Sequence, residues 1–237
     1  MLFLIGYTVS VFLMMRGSKR YGICKNDILY ASLYAAIGIG IGAKAAYFLS
    51  KIPRIIMNPD AFIELFRLDY KVALTYLFGG LTFYGGLLGA ILGVFIYCRQ
   101  YRIDRMQILN YAAIYFPFIH MFGRVGCFLA GCCYGKEYHG PFAAHFPYNS
   151  NTPELSEVPR IPVQLMEAGV NLLIFLILLV LSSRLIKKQV KKNLQIYLLL
   201  YSFARFFLEY LRGDLDRGQY RLFSTSQWIS LIVLLVV

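Results

Sequence analysis

Gly123-Arg124-Val125-Gly126-Cys127-Phe128-Leu129-Ala130-Gly131-Cys132-Cys133-Tyr134-Gly135 closes the apolar run 107–122 and puts a guanidinium, glycines and three cysteines at its end. A charge at the margin of an apolar helix is costly unless it faces a partner or a cavity. Two other stretches share this character. Arg160-Ile161-Pro162-Val163-Gln164-Leu165-Met166-Glu167 opens the run 163–183, and Arg205-Phe206-Phe207-Leu208-Glu209-Tyr210-Leu211-Arg212 lies in the run 194–211. Arg205 and Glu209, at i and i+4, share a helical face, and Arg212 follows at i+7. A helix-joining salt bridge explains Glu209 as readily as a binding site does. Arg124 and Arg205 are harder to assign to packing, because they sit on different helices at one end of the molecule. Two guanidiniums sharing a cavity suit a phosphate, which they bind bidentately. At that depth the natural phosphate is a phospholipid headgroup.

The chain around these stretches is a membrane protein by composition. Of 237 residues, 59% are hydrophobic and 15% are charged, with a mean hydropathy of +0.59. A soluble domain carries about 45–50% apolar and about 25% charged residues. One soluble core could not enclose so much apolar surface, and disordered, fibrous and disulfide-rich secreted classes are excluded by the same figures. With 19 Tyr against a single Trp, interfacial anchoring falls to tyrosine.

Apolar segments lie at 1–15, 28–49, 73–97, 107–122, 163–183, 194–211 and 223–237. The connections 16–27, 98–106 and 184–193 hold twelve Lys/Arg against only Asp27 and Asp104, whereas 50–72, 124–160 and 205–221 hold eleven against nine acids. In a soluble chain the net charge of +12 would suggest nucleic acid. This distribution points instead to topology, and nucleic acid is not an expected partner. By the positive-inside rule the dense set is cytoplasmic. The expectation is an all-α integral membrane protein of one domain with about seven transmembrane helices, its N-terminus outside and its C-terminus cytoplasmic. An external head spans about 136–160 and an amphipathic surface arm about 50–72. The first segment is followed, not preceded, by Arg16, Lys19 and Arg20, an order that opposes a secretory signal peptide.

Gly38, Gly42 and Ala46 repeat every four residues, as do Gly85, Gly89 and Gly93; such stripes let helix backbones approach closely. Packing accounts for the glycines but leaves Lys44, beside the first stripe, unexplained.

In order along the whole chain, these elements resemble the prolipoprotein diacylglyceryl transferase family. The stretch 123–135 resembles its Gly-Arg-x-Gly-Asn-Phe-x-Asn-Gly-Glu-x-x-Gly signature. Pro162-Val163-Gln164-Leu165-Met166-Glu167 resembles Pro-x-Gln-Leu-Tyr-Glu, and 205–212 its late Arg-x-x-x-Glu-x-x-Arg helix. Phe83-Tyr84-Gly85-Gly86-Leu87 is similar to Phe-His-Gly-Gly-Leu, and Gly42-Ala43-Lys44-Ala45-Ala46-Tyr47 to Gly-Gly-Arg-x-x-Tyr. The resemblance implies transfer of diacylglyceryl from phosphatidylglycerol to the lipobox cysteine of a prolipoprotein, in the bacterial plasma membrane with the active site at the outer leaflet. No cofactor or metal is implied. The partners are phosphatidylglycerol, the prolipoprotein signal-peptide region and membrane lipid. Arg124, Arg205 and Tyr84 are the implied catalytic residues. Lys44, Tyr47, Gly123, Gly126, Gly135, Gln164, Glu167, Glu209 and Arg212 are the implied substrate-binding ones.

Departures from the pattern are specific. The signature's two Asn are Cys127 and Ala130, its Glu is Cys132, and the third-helix His is Tyr84; the family's Tyr-Gly element would fall upstream of Met1. A phenol is a poor base at neutral pH unless arginines depress its pKa. Two other readings stay open: a paralogue that moves a lipid or acyl group to another acceptor, and a non-catalytic phospholipid-binding assembly protein. The cysteines also keep alternatives. C-x4-C-C-x5-H-x5-H, from Cys127 to His145, has zinc-ligand residue types but lacks the usual C-x2-4-C pairing. A disulfide from Cys127 to Cys132 or Cys133 and simple apolar packing compete with it. His139 and His145 read as solvated loop residues.

Overall fold

The computed structural model describes residues 1–147, 154–184, 192–213, 219–220 and 222–237. Parts of the expected head (148–153) and of the basic connection 184–193 (185–191) lie outside the described residues. The helices are α1 (Leu2–Gly17), α2 (Lys25–Met57), α3 (Pro59–Leu68), α4 (Tyr70–Phe78), α5 (Phe83–Gln100), α6 (Arg105–Leu129), α7 (Glu154–Glu157), α8 (Val163–Arg184), α9 (Asn193–Leu208) and α10 (Thr225–Val236). A two-strand antiparallel pair, Gln219–Tyr220 with Phe223–Ser224, precedes α10. Among the described residues four helices, α2, α5, α6 and α8, are long and apolar enough to cross a membrane. The 16 residues of α1 extend about 24 Å at 1.5 Å per residue, short of a hydrocarbon core of about 30 Å.

The helices form two compact units, Met1–Ile23 with Met106–Val237, and Cys24–Arg105. In the second unit α2 lies against α5 through the two glycine stripes. A Cβ on Gly38 would overlap the carbonyl oxygen of Gly89, and one on Gly42 that of Gly85. The backbones touch because nothing stands between them. Replacing Gly89 by Leu is expected to force α2 and α5 apart, read as loss of folded chain in detergent and a lower melting temperature; an unchanged melting temperature would refute close packing here.

The expected single segment 73–97 is two helices. The chain breaks at Gly79-Gly80-Leu81-Thr82, where Thr82 N and Oγ1 both donate to Ala43 O at 3.3 Å. Hydropathy does not register this break, because glycine interrupts a helix without adding polarity. The Tyr47 ring fills the space a Gly80 side chain would take, and Lys44 Nζ donates to the carbonyl of Phe78. Lys44 thereby satisfies a carbonyl left open at the end of α4, which answers the question its charge raised. The expected arm is helical too. It comprises the end of α2, then α3, which buries no residue, then α4, whose N-terminus Asp69 caps by accepting from Lys71 N at 2.8 Å.

In the first unit α6 is central. Tyr111 Oη donates to Met14 O of α1 at 2.7 Å, and Phe118 packs on Phe175 of α8 with ring centroids 4.9 Å apart. Phe116 meets Tyr197 of α9 at 5.3 Å. Tyr111, Ile114, Val163 and Leu178 are fully buried. Gln227 closes a capping box with Ser224 at the start of α10 and donates to Phe206 O of α9 at 3.3 Å.

Candidate active site

The three charged stretches, far apart in sequence, meet through backbone hydrogen bonds. Residues 134–136 run between the other two: Gly135 N donates to Ile161 O at 3.1 Å, Ile161 N to Lys136 O at 3.0 Å, Lys136 N to Leu211 O at 2.9 Å, and Gly213 N to Tyr134 O at 3.1 Å. Gly135 is wedged there, since a Cβ would lie 2.7 Å from Ile161 Cβ. The start of α8 and the end of α9 are thus tied to the tail of the signature.

This assembly turns four side chains toward one carboxylate. Glu167, on the second turn of α8, is 1% exposed. Its Oε1 lies 2.8 Å from Arg124 Nη2 of α6 and accepts from Tyr201 Oη of α9 at 2.8 Å. Its Oε2 lies 3.4 Å from Arg205 Nη1, and His120 Nε2 is 3.8 Å from Oε1. Arg205 also reaches Glu209 Oε2 at 2.6 Å and Ser226 Oγ at 3.3 Å. The i,i+4 pairing of Arg205 with Glu209 is therefore real, and Glu167 joins both guanidiniums, which the sequence did not show. In charge, Arg124, Arg205 and Arg212 outweigh Glu167 and Glu209 by one.

Among the buried polar atoms of the described residues that have no hydrogen-bond partner are Arg124 Nε and Gln164 Oε1. Gln164, 1% exposed, donates from Nε2 to Cys132 O at 2.8 Å. Gly123 and Gly126 are not crowded: a Cβ would meet Phe3 at 3.7 Å and Leu2 at 3.8 Å respectively, ordinary contacts. Arg212 is 7% exposed. Hydrogen bonds from Cys127 and Cys132, then from Arg212, hold the Cys133 thiol below the usual thiol range. No disulfide joins Cys127, Cys132 or Cys133; their sulfurs lie within 4.8 Å of one another. His145 is exposed, and His139 is bonded to Glu137 at 2.9 Å.

Arg124, Gly135, Gln164, Glu167, Arg205, Glu209 and Arg212 therefore converge in the first unit. Lys44, Tyr47 and Tyr84 belong to the second; Tyr84, on the first turn of α5, is 53% exposed and lies edge-on to Phe83. Reading the sequence for charge missed His120, Tyr201 and Ser226. The first two were legible by spacing, since His120 precedes Arg124 and Tyr201 precedes Arg205 by four residues, one helical turn on the same face.

Fold and site define an all-α membrane protein with a buried arginine–glutamate cluster among its helices. A family model described as Prolipoprotein diacylglyceryl transferase matches residues 1–237, and the chain belongs to that family. It is similar to phosphatidylglycerol--prolipoprotein diacylglyceryl transferases of several bacteria. The Clostridium tetani protein is 30% identical over 232 residues, covering 98% of this chain and 86% of the relative. The enzyme numbered 2 in Clostridium perfringens is 29% identical, with coverage of 98% and 86%. The Idiomarina loihiensis protein is 31% identical over 215 residues, with coverage of 89% and 73%.

Proposed function

We propose that this chain transfers diacylglyceryl from phosphatidylglycerol to the lipobox cysteine of prolipoproteins, at the outer face of a bacterial plasma membrane. The observation that carries the site assignment is the pair of buried guanidiniums joined by Glu167, with one positive charge in excess. A phosphodiester brings one negative charge, and the departing glycerol phosphate carries more. In the reaction the acceptor thiol loses its proton, sulfur attacks the glyceryl carbon, and the carbon–oxygen bond to phosphate breaks. Glycerol phosphate leaves with the electron pair. Guanidiniums already in place stabilise that developing charge without reorganisation. Arg124 and Arg205 contact the phosphate, sharing themselves with Glu167, while Arg124 Nε and Gln164 Oε1 offer a donor and an acceptor to the headgroup. Gly123 and Gly126 keep the α6 backbone beside Arg124 free of side chains, packed against Phe3 and Leu2, Gly135 holds the stretches together, and Glu209 and Arg212 set the charge balance. Lys44 and Tyr47 support the α4–α5 junction that presents Tyr84, in the position of the family's histidine.

Complementation of a conditional transferase-null bacterium, with mass spectrometry of a reporter lipoprotein, tests the function. Diacylglyceryl on the reporter cysteine is expected. Growth rescue with an altered lipid profile and an unmodified reporter would shift the reading to another acceptor, which the Tyr84 and Cys132 departures favour. For the base, Tyr84→Phe is expected to slow transfer by about tenfold or more, and Tyr84→His to retain or raise it. Full activity in Tyr84→Phe with loss in His120→Asn would move the role to His120.

The proposed arrangement is one membrane-embedded domain of seven helices, with the head external and the basic connections cytoplasmic. A cysteine introduced by Phe142→Cys, at a position 91% exposed, is expected to react with an impermeant thiol reagent in intact cells lacking the native cysteines. One introduced by Tyr101→Cys is expected to react only after permeabilisation. The opposite pattern inverts the topology.

A further inference from the structure

Two of the signature's polar positions are cysteines here, Cys127 and Cys132, and with Cys133 their sulfurs are gathered. Cys127 sits at the end of α6, and Cys132 and Cys133 follow in the turn; the three Sγ atoms lie within 4.8 Å of one another. Adjacent cysteines in an extended chain point to opposite sides. These do not, because the backbone turns through the left-handed region at Gly131 (φ 65°) and again at Cys133 (φ 63°). A non-glycine residue held there costs of order 1 kcal/mol or more and needs surrounding structure to hold it. That structure is present: Cys132 N donates to Cys127 O at 3.1 Å and Gly131 N to Phe128 O at 3.1 Å. The buried Gln164 side chain then clamps Cys132 O from α8.

The geometry suits a soft cation. Thiolates about 2.3 Å from a tetrahedral zinc ion stand about 3.8 Å apart, so these sulfurs need to close by no more than about 1 Å. Cys132 is exposed and Cys127 and Cys133 half-buried, which gives an ion access and leaves one side open. Three thiolates around a divalent ion carry one net negative charge. Neither His139 nor His145 belongs to the cluster, so the histidines of the sequence spacing are not ligands.

We propose that Cys127, Cys132 and Cys133 form a three-thiolate site for a thiophilic divalent ion of the zinc class, with its fourth position open to the acceptor thiol. The ion site stands on the cluster itself; the role of its fourth position rests on the transferase reading. An acceptor thiol bound there would be held as the thiolate, its proton passing to the base of the transfer step. The bound thiolate attacks the glyceryl carbon, the carbon–oxygen bond to phosphate breaks, and glycerol phosphate leaves with the electron pair. The product thioether is a weak ligand and departs from an unchanged ion. This supplies thiolate in a chain where Tyr stands in place of the family's His.

The test uses the full chain in detergent micelles, reduced, stripped with a chelator and titrated with Co²⁺. Sulfur-to-cobalt charge transfer and the visible bands of a tetrahedral ion are expected at one cobalt per chain, displaced by Zn²⁺ and lost when all three cysteines are changed to Ser. Because the triple variant risks misfolding, maleimide footprinting of the native chain is read alongside it. Zinc is expected to protect Cys127, Cys132 and Cys133 while Cys24 stays reactive. Chelation is expected to slow transfer about tenfold or more, with recovery on adding zinc. Absent charge transfer, absent protection, or a disulfide among the three in the reduced protein overturns the site. Cobalt bands with transfer insensitive to chelation overturn the role of the open position. Cobalt bands with no diacylglyceryl on the reporter leave the ion site standing and refute the transferase reading.

Discussion

Arg124→Ala is expected to slow diacylglyceryl transfer by about 10²–10³-fold, the loss typical of removing one preorganised donor from a developing anion, while the chain still inserts and accumulates. The structure explains why the fold should survive. Without Arg124, Glu167 keeps Arg205 at 3.4 Å and Tyr201 at 2.8 Å, so no buried carboxylate is abandoned. Arg205→Ala should be as inactive but less stable, because Glu209 loses its 2.6 Å partner inside the protein. Arg124→Lys restores a point charge without the fork and is expected to recover only part of the activity. The assay is transfer from phosphatidylglycerol to a prolipoprotein peptide, with the amount of membrane-inserted protein measured in parallel. Full activity in Arg124→Ala would end the assignment of Arg124 to the phosphate.

Glu167→Gln is expected to have the largest effect on stability, about 3–5 kcal/mol, the cost of breaking a buried ion pair by removing one partner. The change leaves Arg124 and Arg205 facing each other across an amide with no carboxylate to share. Their arrangement should loosen and transfer should fall with it. Thermal unfolding in detergent reads the first effect and the transfer assay the second. A double-mutant cycle separates contact from general damage. Arg124→Ala is expected to destabilise the wild-type chain more than it destabilises Glu167→Gln, in which its partner is already gone. Additive losses, or a melting temperature unmoved by Glu167→Gln, would show that the carboxylate does not hold the guanidiniums.

Much of this was legible in the sequence, for physical reasons that differ by element. Lys25–Met57, Arg105–Leu129 and Val163–Arg184 follow the apolar runs 28–49, 107–122 and 163–183, since hydropathy alone decides what can remain in lipid. The glycine stripes announced a close helix pair, and Gly38 against Gly89 realises it. The i,i+4 pair of Arg205 and Glu209 follows from helical geometry. The break at 79–82 was not legible, because a hydropathy window averages over glycine. His120 and Tyr201 were hidden among many aromatic and apolar neighbours, although their spacing from Arg124 and Arg205 marks the same faces.

The sequence by itself determined that the chain lives in a membrane, where its apolar runs lie, and which three stretches carry charge at a cost only function or pairing offsets. Only the tertiary structure decided what those charges do to one another. Glu167 reads in sequence as one acid at the start of a helix; its two guanidiniums come from α6 and α9, and nothing local specifies that partnership. The same holds for the sulfurs. Adjacent cysteines give no cluster until two residues of left-handed backbone, Gly131 and Cys133, fold them toward Cys127. Local sequence sets propensity and periodicity, but the meeting of groups from separate helices depends on the packing of the whole unit.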